Sequence, residues 1–319
     1  MVRSYEAILD AIGNTPMVQL KRIVPHSSGR ILAKLEFANP TGGMKDRVAK
    51  AMVEAAEIDG RLRPGGTVVE YTGGTTGTSL ALICAAKGYP LKIVFSDAFS
   101  DDKGDTMRAF GAQVYNVPSD NKKITEKLIK EMVETAREIG RRPNHWFCDQ
   151  LSNADGVAGY HKLGEEIWTQ TGGEVNAFVQ AVGTAHSIHG TTEILWKRNK
   201  EVRIVAVEPA ESPVLSGGPT GSHRIEGIGI GYVPPLWNPR LVNEIMTVSS
   251  EEAMEMCHRL AREEALFVGT SSGANVVAAL RIANRLGPRA TIVTIMIDSG
   301  LRYLSTELFK KKRVREHLP

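Results

Sequence analysis

Several features that would assign a protein to a special class are missing from this 319-residue chain. Its three cysteines, Cys84, Cys148 and Cys257, are an odd number without CxxC spacing, which argues against a disulfide framework and a zinc site. The 39 basic and 36 acidic residues nearly balance, and the basic surplus lies in residues 310–315, so nucleic acid is not an expected partner. No apolar run is long enough for a signal sequence or a membrane span, and we therefore expect a cytoplasmic protein without a membrane partner.

The chain does contain an alternation of short β-branched runs with longer helical patterns. Hydrophobic residues make up 42% of it and charged residues 24%, which is usual for a globular protein. The alternation predicts an α/β fold with mostly parallel sheets, and the length is enough for two domains. The predicted strands cover residues 31–37, 67–71, 91–95, 112–117, 177–182, 202–207 and 291–297, and the predicted helices cover residues 45–60, 76–88, 102–111, 124–140, 154–169, 251–264 and 273–286.

Glycine is concentrated where predicted strands give way to helices. Four such turns lie at residues 42–43, 73–77, 183 and 269–273. Because ligands of open α/β sheets bind at the carboxyl ends of the strands, these turns predict one site built from four segments. Residues 209–239 are rich in Gly and Pro and show no period, so they predict a functional loop or a lid.

The first turn, residues 39–47 (NPTGGMKDR), places Lys45 at the start of a helix. The positive end of the helix dipole disfavours an ammonium group there and lowers its pKa, as a lysine that forms a Schiff base requires. Taken alone, the motif also fits an exposed lysine in a charged first turn, which is the commoner arrangement.

The second turn, residues 71–78 (YTGGTTGT), combines main-chain N–H groups with hydroxyl groups at the start of a helix. Such a turn suits a carboxylate. A single Ser or Thr is enough to cap a helix, so the run of small residues favours anion binding over a simple cap.

The third turn, residues 182–187 (VGTAHS), follows a strand, precedes a helix and suits a phosphate group. It is not a P-loop, since the chain contains no GxxxxGK[ST] motif. His186 and His189 have a spacing that can bind a metal ion, but no further His, Cys or carboxylate completes a coordination sphere. We therefore predict no metal site.

The fourth turn, residues 269–275 (GTSSGAN), offers hydroxyl groups that serve either a reaction or a helix cap, and the chain has no GxSxG nucleophile elbow. Residues 227–231 (GIGIG) look like a dinucleotide-binding turn. Pro234 and Pro235 follow them, however, and exclude the helix that such a turn requires. A nicotinamide-dependent oxidoreductase is therefore disfavoured.

Together and in this order, the four motifs resemble those of the cysteine synthase and cystathionine β-synthase family of pyridoxal-phosphate enzymes. NPTGGMKDR is similar to the family's NPxGSxKDR, TGGTTG to its substrate-carboxylate loop TSGNTG, VGTAHS to its phosphate loop VGTGGT, and GTSSGAN to its GxSSGA. Residues 207–218 and 226–236 resemble the roof of the family's active site. The resemblance extends over residues 13–306, nearly the whole chain.

The resemblance implies a fold like that of tryptophan synthase β, with two open, twisted α/β domains and mostly parallel sheets. Residues 37–152 would form a smaller, mobile N-terminal domain that carries the substrate-carboxylate loop. Residues 1–36 and 153–319 would form a larger cofactor-binding domain. A homodimer is also implied.

The resemblance further implies pyridoxal 5′-phosphate as the cofactor and Lys45 as the catalytic residue. Ser271 would face the pyridine nitrogen, and a neutral serine there makes the ring a weaker electron sink, which suits loss of a group from Cβ better than transamination. The residues implied to bind the cofactor are Lys45, Thr75, Gly183, Thr184, Ala185, His186, Ser187 and Ser271. The residues implied to bind the substrate are Thr72, Gly73, Thr75, Thr76, Gln150 and Gly227.

The implied reaction is a ping-pong β-replacement on an O-activated L-serine that gives L-cysteine or a related β-substituted alanine. Lys45 would remove the Cα proton, the leaving group would depart from Cβ, and sulfide or another thiol would add there. Two alternatives stay open. One is net β-elimination, as in a serine or threonine dehydratase or a desulfhydrase, and the other is a catalytically silent relative that acts by binding.

The chain departs from the family's motifs in two loops and at residues 297–300 (IDSG), which resemble the version seen in cystathionine β-synthases more than the usual cysteine synthase ending. Gly73 and Thr75 stand where the family has Ser and Asn, which predicts a roomier and less polar pocket over Cβ. On that basis we expect a different activated serine, or a nucleophile larger than sulfide, to be preferred over O-acetylserine with sulfide. Ala185 and His186 replace two glycines, so they add bulk and a titratable group beside the phosphate.

Overall fold

The computed structural model describes residues 6–121 and 125–310. Most of the predicted basic segment, residues 311–315, and residue 124, the predicted start of a helix, lie outside the described residues. Within the described ranges, no helix is both long enough and apolar enough to cross a membrane.

Strands and helices alternate along the part of the chain that the structure describes. The strands are β1 (Met17–Leu20), β2 (Arg30–Leu35), β3 (Thr67–Tyr71), β4 (Leu91–Ser96), β5 (Gln113–Val117), β6 (His145–Phe147), β7 (Ala177–Ala181), β8 (Arg203–Pro209), β9 (Glu244–Val248) and β10 (Thr291–Met296). The helices are α1 (Lys45–Ile58), α2 (Thr75–Lys87), α3 (Asp101–Ala109), α4 (Glu126–Gly140), α5 (Asp155–Ala158), α6 (His161–Gln170), α7 (His186–Arg198), α8 (Ser250–Glu263) and α9 (Thr270–Leu286).

The strands form two sheets, and the predicted α/β fold with mostly parallel sheets is confirmed. One sheet has the order β1-β2-β10-β7-β8-β9 and is parallel except for the β1–β2 pair. The other has the order β5-β4-β3-β6 and is parallel throughout. The second sheet lies within residues 67–147. The further division of the chain into a mobile unit of residues 37–152 and a larger unit stays a prediction.

The centre of the larger sheet is buried on both faces. Every residue of β7 and of β10 is buried, and α9 packs against them with a nearly continuous buried face. Parallel strands covered on both sides are apolar throughout rather than alternating, which is why these two segments were easy to predict. The turns that follow β7 and β10 therefore extend from a fully buried part of the sheet.

Three strands were not predicted, namely β1, β6 and β9. All three lie at sheet edges. β1 and β9 are partly exposed, and β6 has only three residues. An edge strand that is half in water has neither a continuous apolar run nor a strict alternation, so its sequence resembles a loop.

The predicted continuous helix over residues 154–169 is wrong, because the chain breaks between α5 and α6. A Cβ atom added at Gly159 would lie 2.5 Å from the main-chain oxygen of Arg47. This close approach to α1 occurs at the break. Tyr160 follows, fully buried, and donates a hydrogen bond to the main-chain oxygen of Met44 over 3.1 Å.

The loop predicted over residues 209–239 is confirmed as irregular. The structure gives it only a short 3₁₀ turn at Val214–Ser216, and another 3₁₀ turn, Pro239–Leu241, begins at its end. The loop leaves the carboxyl end of β8 and returns to β9, so it crosses the edge of the sheet at which the glycine-rich turns lie.

Candidate active site

Lys45 is the first residue of α1, and the loop before it is held against the end of β10. The main-chain N–H of Met44 donates to the oxygen of Ile297 over 3.0 Å, and Gly43 forms an isolated β-bridge with Asp298. Gly42 has φ +80°, a conformation that favours glycine. Within the described part of the chain, the Lys45 ammonium donates a single hydrogen bond, to Thr184 Oγ1 over 3.2 Å. Two of the four predicted segments therefore meet at Lys45.

The pKa of Lys45 is lowered to about 8, in the predicted direction but chiefly for another reason. Burial of the ammonium group is the main cause, and the nearby Glu70 carboxyl opposes it. Burial also raises the pKa of Glu70 to about 8, although the Gln150 and Tyr71 N–H groups donate to its two oxygens over 2.9 Å. Lys45 is thus held ready to become a neutral amine near neutral pH.

The predicted substrate-carboxylate loop follows β3 and runs into α2. The Thr72 hydroxyl accepts hydrogen bonds from the N–H groups of Gly74 and Gly77 over 2.9 and 3.2 Å, so it shapes the loop itself. Thr76 donates to Gln150 Oε1 over 2.6 Å, which brings together two of the predicted substrate residues. The Thr75 side chain is half-buried and makes no hydrogen bond within the described residues.

The expectation of a roomier pocket at Gly73 is wrong. A Cβ atom added at Gly73 would lie 2.8 Å from Phe99 Cε1, because the Phe99 ring packs directly on the glycine. Phe99 in turn stacks with Phe95, with ring centroids 5.6 Å apart. The space released by the missing serine side chain is therefore filled by an aromatic ring from the loop that precedes α3. The wall is less polar, as expected, but it is not wider.

The predicted phosphate loop connects β7 to α7. Gly183 packs tightly under the loop of residues 209–239, which we call the roof loop. A Cβ atom at Gly183 would lie 2.4 Å from the main-chain oxygen of Gly227. Ala185 has φ +70°, which is strained for a residue with a side chain. The α7 helix begins there without a side-chain cap, which leaves its first N–H groups available to a ligand. The Ser187 hydroxyl accepts a hydrogen bond from Gln180 Nε2.

His186 is buried and does not bring a positive charge to this loop. Its pKa is lowered to about 3, mainly by burial and also by the charge of Lys45, so the imidazole is neutral at pH 7. His189 points elsewhere, toward Glu193, with 3.2 Å between Nε2 and the carboxylate. Among the residues that the structure describes, no group of three or more His, Cys, Asp or Glu side chains is placed to hold a metal ion.

The two serines of the fourth motif have different surroundings. Both lie in the first turn of α9, which starts three residues earlier than predicted. The Ser272 hydroxyl accepts from the N–H of Ile297 over 2.8 Å and so ties the helix to the end of β10. The Ser271 hydroxyl has no hydrogen-bond partner within the described residues. Ser271 is therefore the serine that is available to a ligand.

The roof loop contacts both α9 and α3. Glu226 accepts a hydrogen bond from the Lys103 ammonium group, and its own N–H donates to Thr270 Oγ1 over 3.0 Å. Lys103 also lies 5.6 Å from the centre of the Tyr303 ring. Gly227, which was predicted to contact the substrate, has φ +84° and lies against Gly183.

A family model described as pyridoxal-phosphate dependent enzyme matches residues 8–298. A cysteine synthase of Staphylococcus aureus (strain Mu50) is 37% identical over 310 residues, which cover 96% of this chain and 98% of that protein. The chain belongs to the family of pyridoxal-phosphate dependent enzymes. Its cofactor is pyridoxal 5′-phosphate.

Two solved structures extend the comparison to the whole fold. A cysteine synthase from Entamoeba histolytica has a TM-score of 0.90 at 37% identity, covering 97% of this chain and 92% of that one. An O-acetylserine-dependent cystathionine β-synthase from Helicobacter pylori has a TM-score of 0.90 at 33% identity, with coverages of 97% and 100%. The chain is therefore a cysteine synthase-like enzyme, and its reaction is β-replacement on an O-activated L-serine.

The residues present fit this cofactor. Lys45 offers a primary amine of lowered pKa, and the loop before α7 offers uncapped N–H groups to a phosphate. Ser271, a buried residue, offers a hydroxyl that has no partner among the described residues, which suits the ring nitrogen. Gly183 leaves no room for a side chain, so the backbone itself lines the loop at this position.

Several residues around the site of this pyridoxal-phosphate enzyme were missed by sequence reasoning. Glu70 was detectable, because a carboxylate within the apolar strand TVVEY is unusual. Phe99, Lys103 and Glu226 carried no such signal, since their roles depend on contacts with distant parts of the chain.

Proposed function

We propose that Lys45 carries the cofactor and acts as the proton-transfer group in a β-replacement that joins sulfide to O-acetyl-L-serine. One observation carries this proposal. A lysine of lowered pKa, with a single hydrogen bond among the described residues, lies beside Thr184 of the loop that precedes α7 and near Glu70 of β3. No ion pair holds Lys45 within the described residues, so its amine is free to react.

We further propose that the cofactor is held by three segments. The N–H groups of residues 183–187 would hold the phosphate, together with the Ser187 hydroxyl, which retains its own proton after accepting from Gln180. Ser271 would contact the ring nitrogen, and Thr75 would lie beside the ring. The Ser272 link to Ile297 supports this role for Ser271, because it fixes the helix turn on which Ser271 stands.

The substrate carboxylate would bind at the start of α2. Thr72 is already used within the loop, so the groups that remain for an anion are the N–H groups of residues 73–76 and the hydroxyls of Thr75 and Thr76. Gln150 positions Thr76, since it accepts from that hydroxyl and donates to the main-chain oxygen of Tyr71 over 2.9 Å.

The chemistry then needs one base. When bound, the cofactor draws electrons from Cα, so that the Cα proton becomes acidic and the group on Cβ can depart. Lys45 takes the Cα proton as a neutral amine and returns it after the nucleophile has added to Cβ. Exclusion of water matters in between, because water would divert the reaction to net β-elimination. The Lys103–Glu226 contact supports such closure, since it links α3 to the roof loop.

The choice of substrates rests on the relatives and on the wall at Gly73. The curated relative is a cysteine synthase, and one structural neighbour is described as O-acetylserine dependent. The space that Gly73 would have offered to a larger substrate or nucleophile is taken by the Phe99 ring. O-acetyl-L-serine with sulfide is therefore the first pair to test.

We also propose a homodimer, on the basis of the family resemblance. Exposed apolar side chains such as Ile58 and Leu301 are compatible with a contact surface. Light scattering should give twice the mass of one chain. A cytoplasmic location stays a prediction.

The test is a product analysis of the cofactor-loaded enzyme. O-acetyl-L-serine is supplied with sulfide, with a larger thiol, or alone, and cysteine, thioether and pyruvate are measured separately. We expect cysteine to dominate when sulfide is present and pyruvate to stay minor. Dominant pyruvate in the presence of sulfide would instead show net β-elimination, and no product from any activated serine would show a binding protein.

A further inference from the structure

A buried chain of hydrogen bonds leads from Lys45 to the start of α5. Lys45 Nζ lies 3.2 Å from Thr184 Oγ1, and that oxygen lies 2.8 Å from His186 Nδ1. His186 Nε2 lies 2.8 Å from the main-chain oxygen of Asn153. The imidazole is 1% exposed, so water does not compete for either of its nitrogens.

The direction of each hydrogen bond follows from the last partner. A carbonyl oxygen only accepts, so Nε2 of His186 must carry the proton that binds Asn153. Because the imidazole is neutral, its Nδ1 has no proton and can only accept. The Thr184 hydroxyl must then donate to Nδ1, and the lone pairs of its oxygen are left to accept from Lys45.

The surrounding backbone is shaped for this imidazole. A Cβ atom added at Gly156 would lie 2.6 Å from Cδ2 and 2.8 Å from Nε2 of His186. Because Gly156 has no side chain, it leaves a slot between the two segments, and the His186 ring lies in this slot. At the other end, the strained Ala185 turn points the first residue of α7 into that slot.

We propose that His186 is a positioning residue for Lys45 and acts through Thr184. By holding the Thr184 proton, His186 makes Thr184 an acceptor toward Lys45 rather than a donor. A neutral amine has two N–H bonds and one lone pair, so fixing one N–H on Thr184 restricts where the lone pair points. The inference rests on the proposed role of Lys45 as the base, and it adds a residue at which that role is tuned.

Two substitutions at His186 test the hydrogen bonds of its two ring nitrogens separately. In His186→Asn, the side-chain oxygen can take the place of Nδ1 and accept from Thr184, but the link to Asn153 is lost. In His186→Gln, the longer amide can reach Asn153, but the acceptor beside Thr184 is lost. Positioning predicts that kcat of the Gln enzyme falls about tenfold below kcat of the Asn enzyme, with little difference in KM between the two.

The kinetic isotope effect of a Cα-deuterated substrate is the readout that a merely structural role would not move. It should rise in His186→Gln, because proton removal becomes slower, and stay unchanged in His186→Asn. Thr184→Val should lower kcat similarly, and His186→Gln added to Thr184→Val should cost no more. His189→Gln, on the same helix, is the control and should keep the unmodified kcat.

A second measurement does not need turnover. Nitrogen NMR of the full chain with labelled histidine, freed of cofactor, should show His186 with a protonated Nε2 and an unprotonated Nδ1 down to pH 5. The opposite tautomer, or two protonated nitrogens at pH 6, would overturn the inference.

The kinetic results give an equally clear alternative. If the Asn enzyme is the slower of the two, or if neither isotope effect changes, His186 only braces the loop against Asn153. The proposed function fails separately, through full activity of Lys45→Ala.

Discussion

Two buried cations lie two residues apart in the first turn of α1, and they are treated in opposite ways. Arg47 donates to both oxygens of Glu36 and both oxygens of Glu166, at 2.7 to 2.8 Å. Among the residues that the structure describes, Lys45 makes one hydrogen bond, of 3.2 Å, to a neutral hydroxyl. One cation is fully paired, and the other is almost unpaired.

The pKa values show the consequence. Burial disfavours the charge of Arg47, but the two carboxylates more than compensate and raise its pKa. Burial also disfavours the charge of Glu166, which by itself would raise the pKa of this carboxyl group. Arg47 and Lys34 nevertheless lower that pKa to about 2. At Lys45 burial prevails, and its pKa falls to about 8. Paired buried charges hold the fold, whereas an unpaired one is available for chemistry.

The largest effect should come from removing the unpaired cation. Lys45→Ala should lower kcat by at least about 10³-fold, since both the cofactor attachment and the base are lost. The free energy of unfolding should change by no more than about 1 kcal/mol, because only one hydrogen bond disappears. Product assays and urea unfolding measure the two quantities on the same sample.

Lys50→Ala, in the next turn of α1, is the control and should keep full activity. After borohydride reduction of the unmodified enzyme, peptide mapping should find the pyridoxyl group on Lys45. A pyridoxyl group on any other lysine would contradict the assignment.

Removing the paired cation should have the next largest effect, and on stability instead. Arg47→Met leaves Glu36 and Glu166 buried without their main partner, which should cost about 3–5 kcal/mol of unfolding free energy. Lys130→Met breaks an exposed pair with Glu126 and should cost no more than about 0.5 kcal/mol. Equal midpoints in urea for the two variants would show that the buried cluster carries no special stability.

The lowered pKa of the unpaired cation, Lys45, can also be tested by varying the pH. The neutral amine is the form that reacts with pyridoxal phosphate, and its fraction rises as the pH passes upward through the pKa of Lys45. With a pKa of about 8 rather than 10.5, the rate of cofactor attachment to cofactor-free protein should rise roughly 30-fold between pH 6.5 and 9.5 and then level off. Stopped-flow absorbance follows this rate. A rate that still rises tenfold per unit at pH 9.5 would mean an ordinary lysine.

The smallest effects are expected at two neighbouring serines of α9, one with a hydrogen-bond partner and one without a partner among the described residues. Ser271→Ala should leave stability unchanged and lower kcat about fivefold, as expected for one lost hydrogen bond of about 1 kcal/mol. Ser272→Ala should instead cost about 1–2 kcal/mol of stability, because the Ile297 N–H loses its acceptor. If both variants behave alike, the free hydroxyl of Ser271 has no separate role.

Much of the fold was predictable from local signals. The central strands β7 and β10 are mostly apolar, and the glycine-rich turns after the strands predicted where a ligand site would lie. The position of Lys45 at a helix start followed from NPTGGMKDR, because loop, glycine and helix signals are all contained in nine neighbouring residues. The edge strands β1, β6 and β9 were not predicted, because partly exposed strands have neither a continuous apolar run nor a strict alternation of apolar and polar residues.

The sequence by itself therefore determined the α/β class, the family and the segments that would form the site, because each is written in short motifs and their order. Tertiary structure decided the contacts, pKa values and protonation states that arise where those segments meet. The pKa of Lys45 depends on burial, the space at Gly73 depends on Phe99, and the proton on His186 depends on Asn153. These partners are distant in the chain, and burial, contact and hydrogen-bond direction exist only once the fold has brought them within a few ångströms.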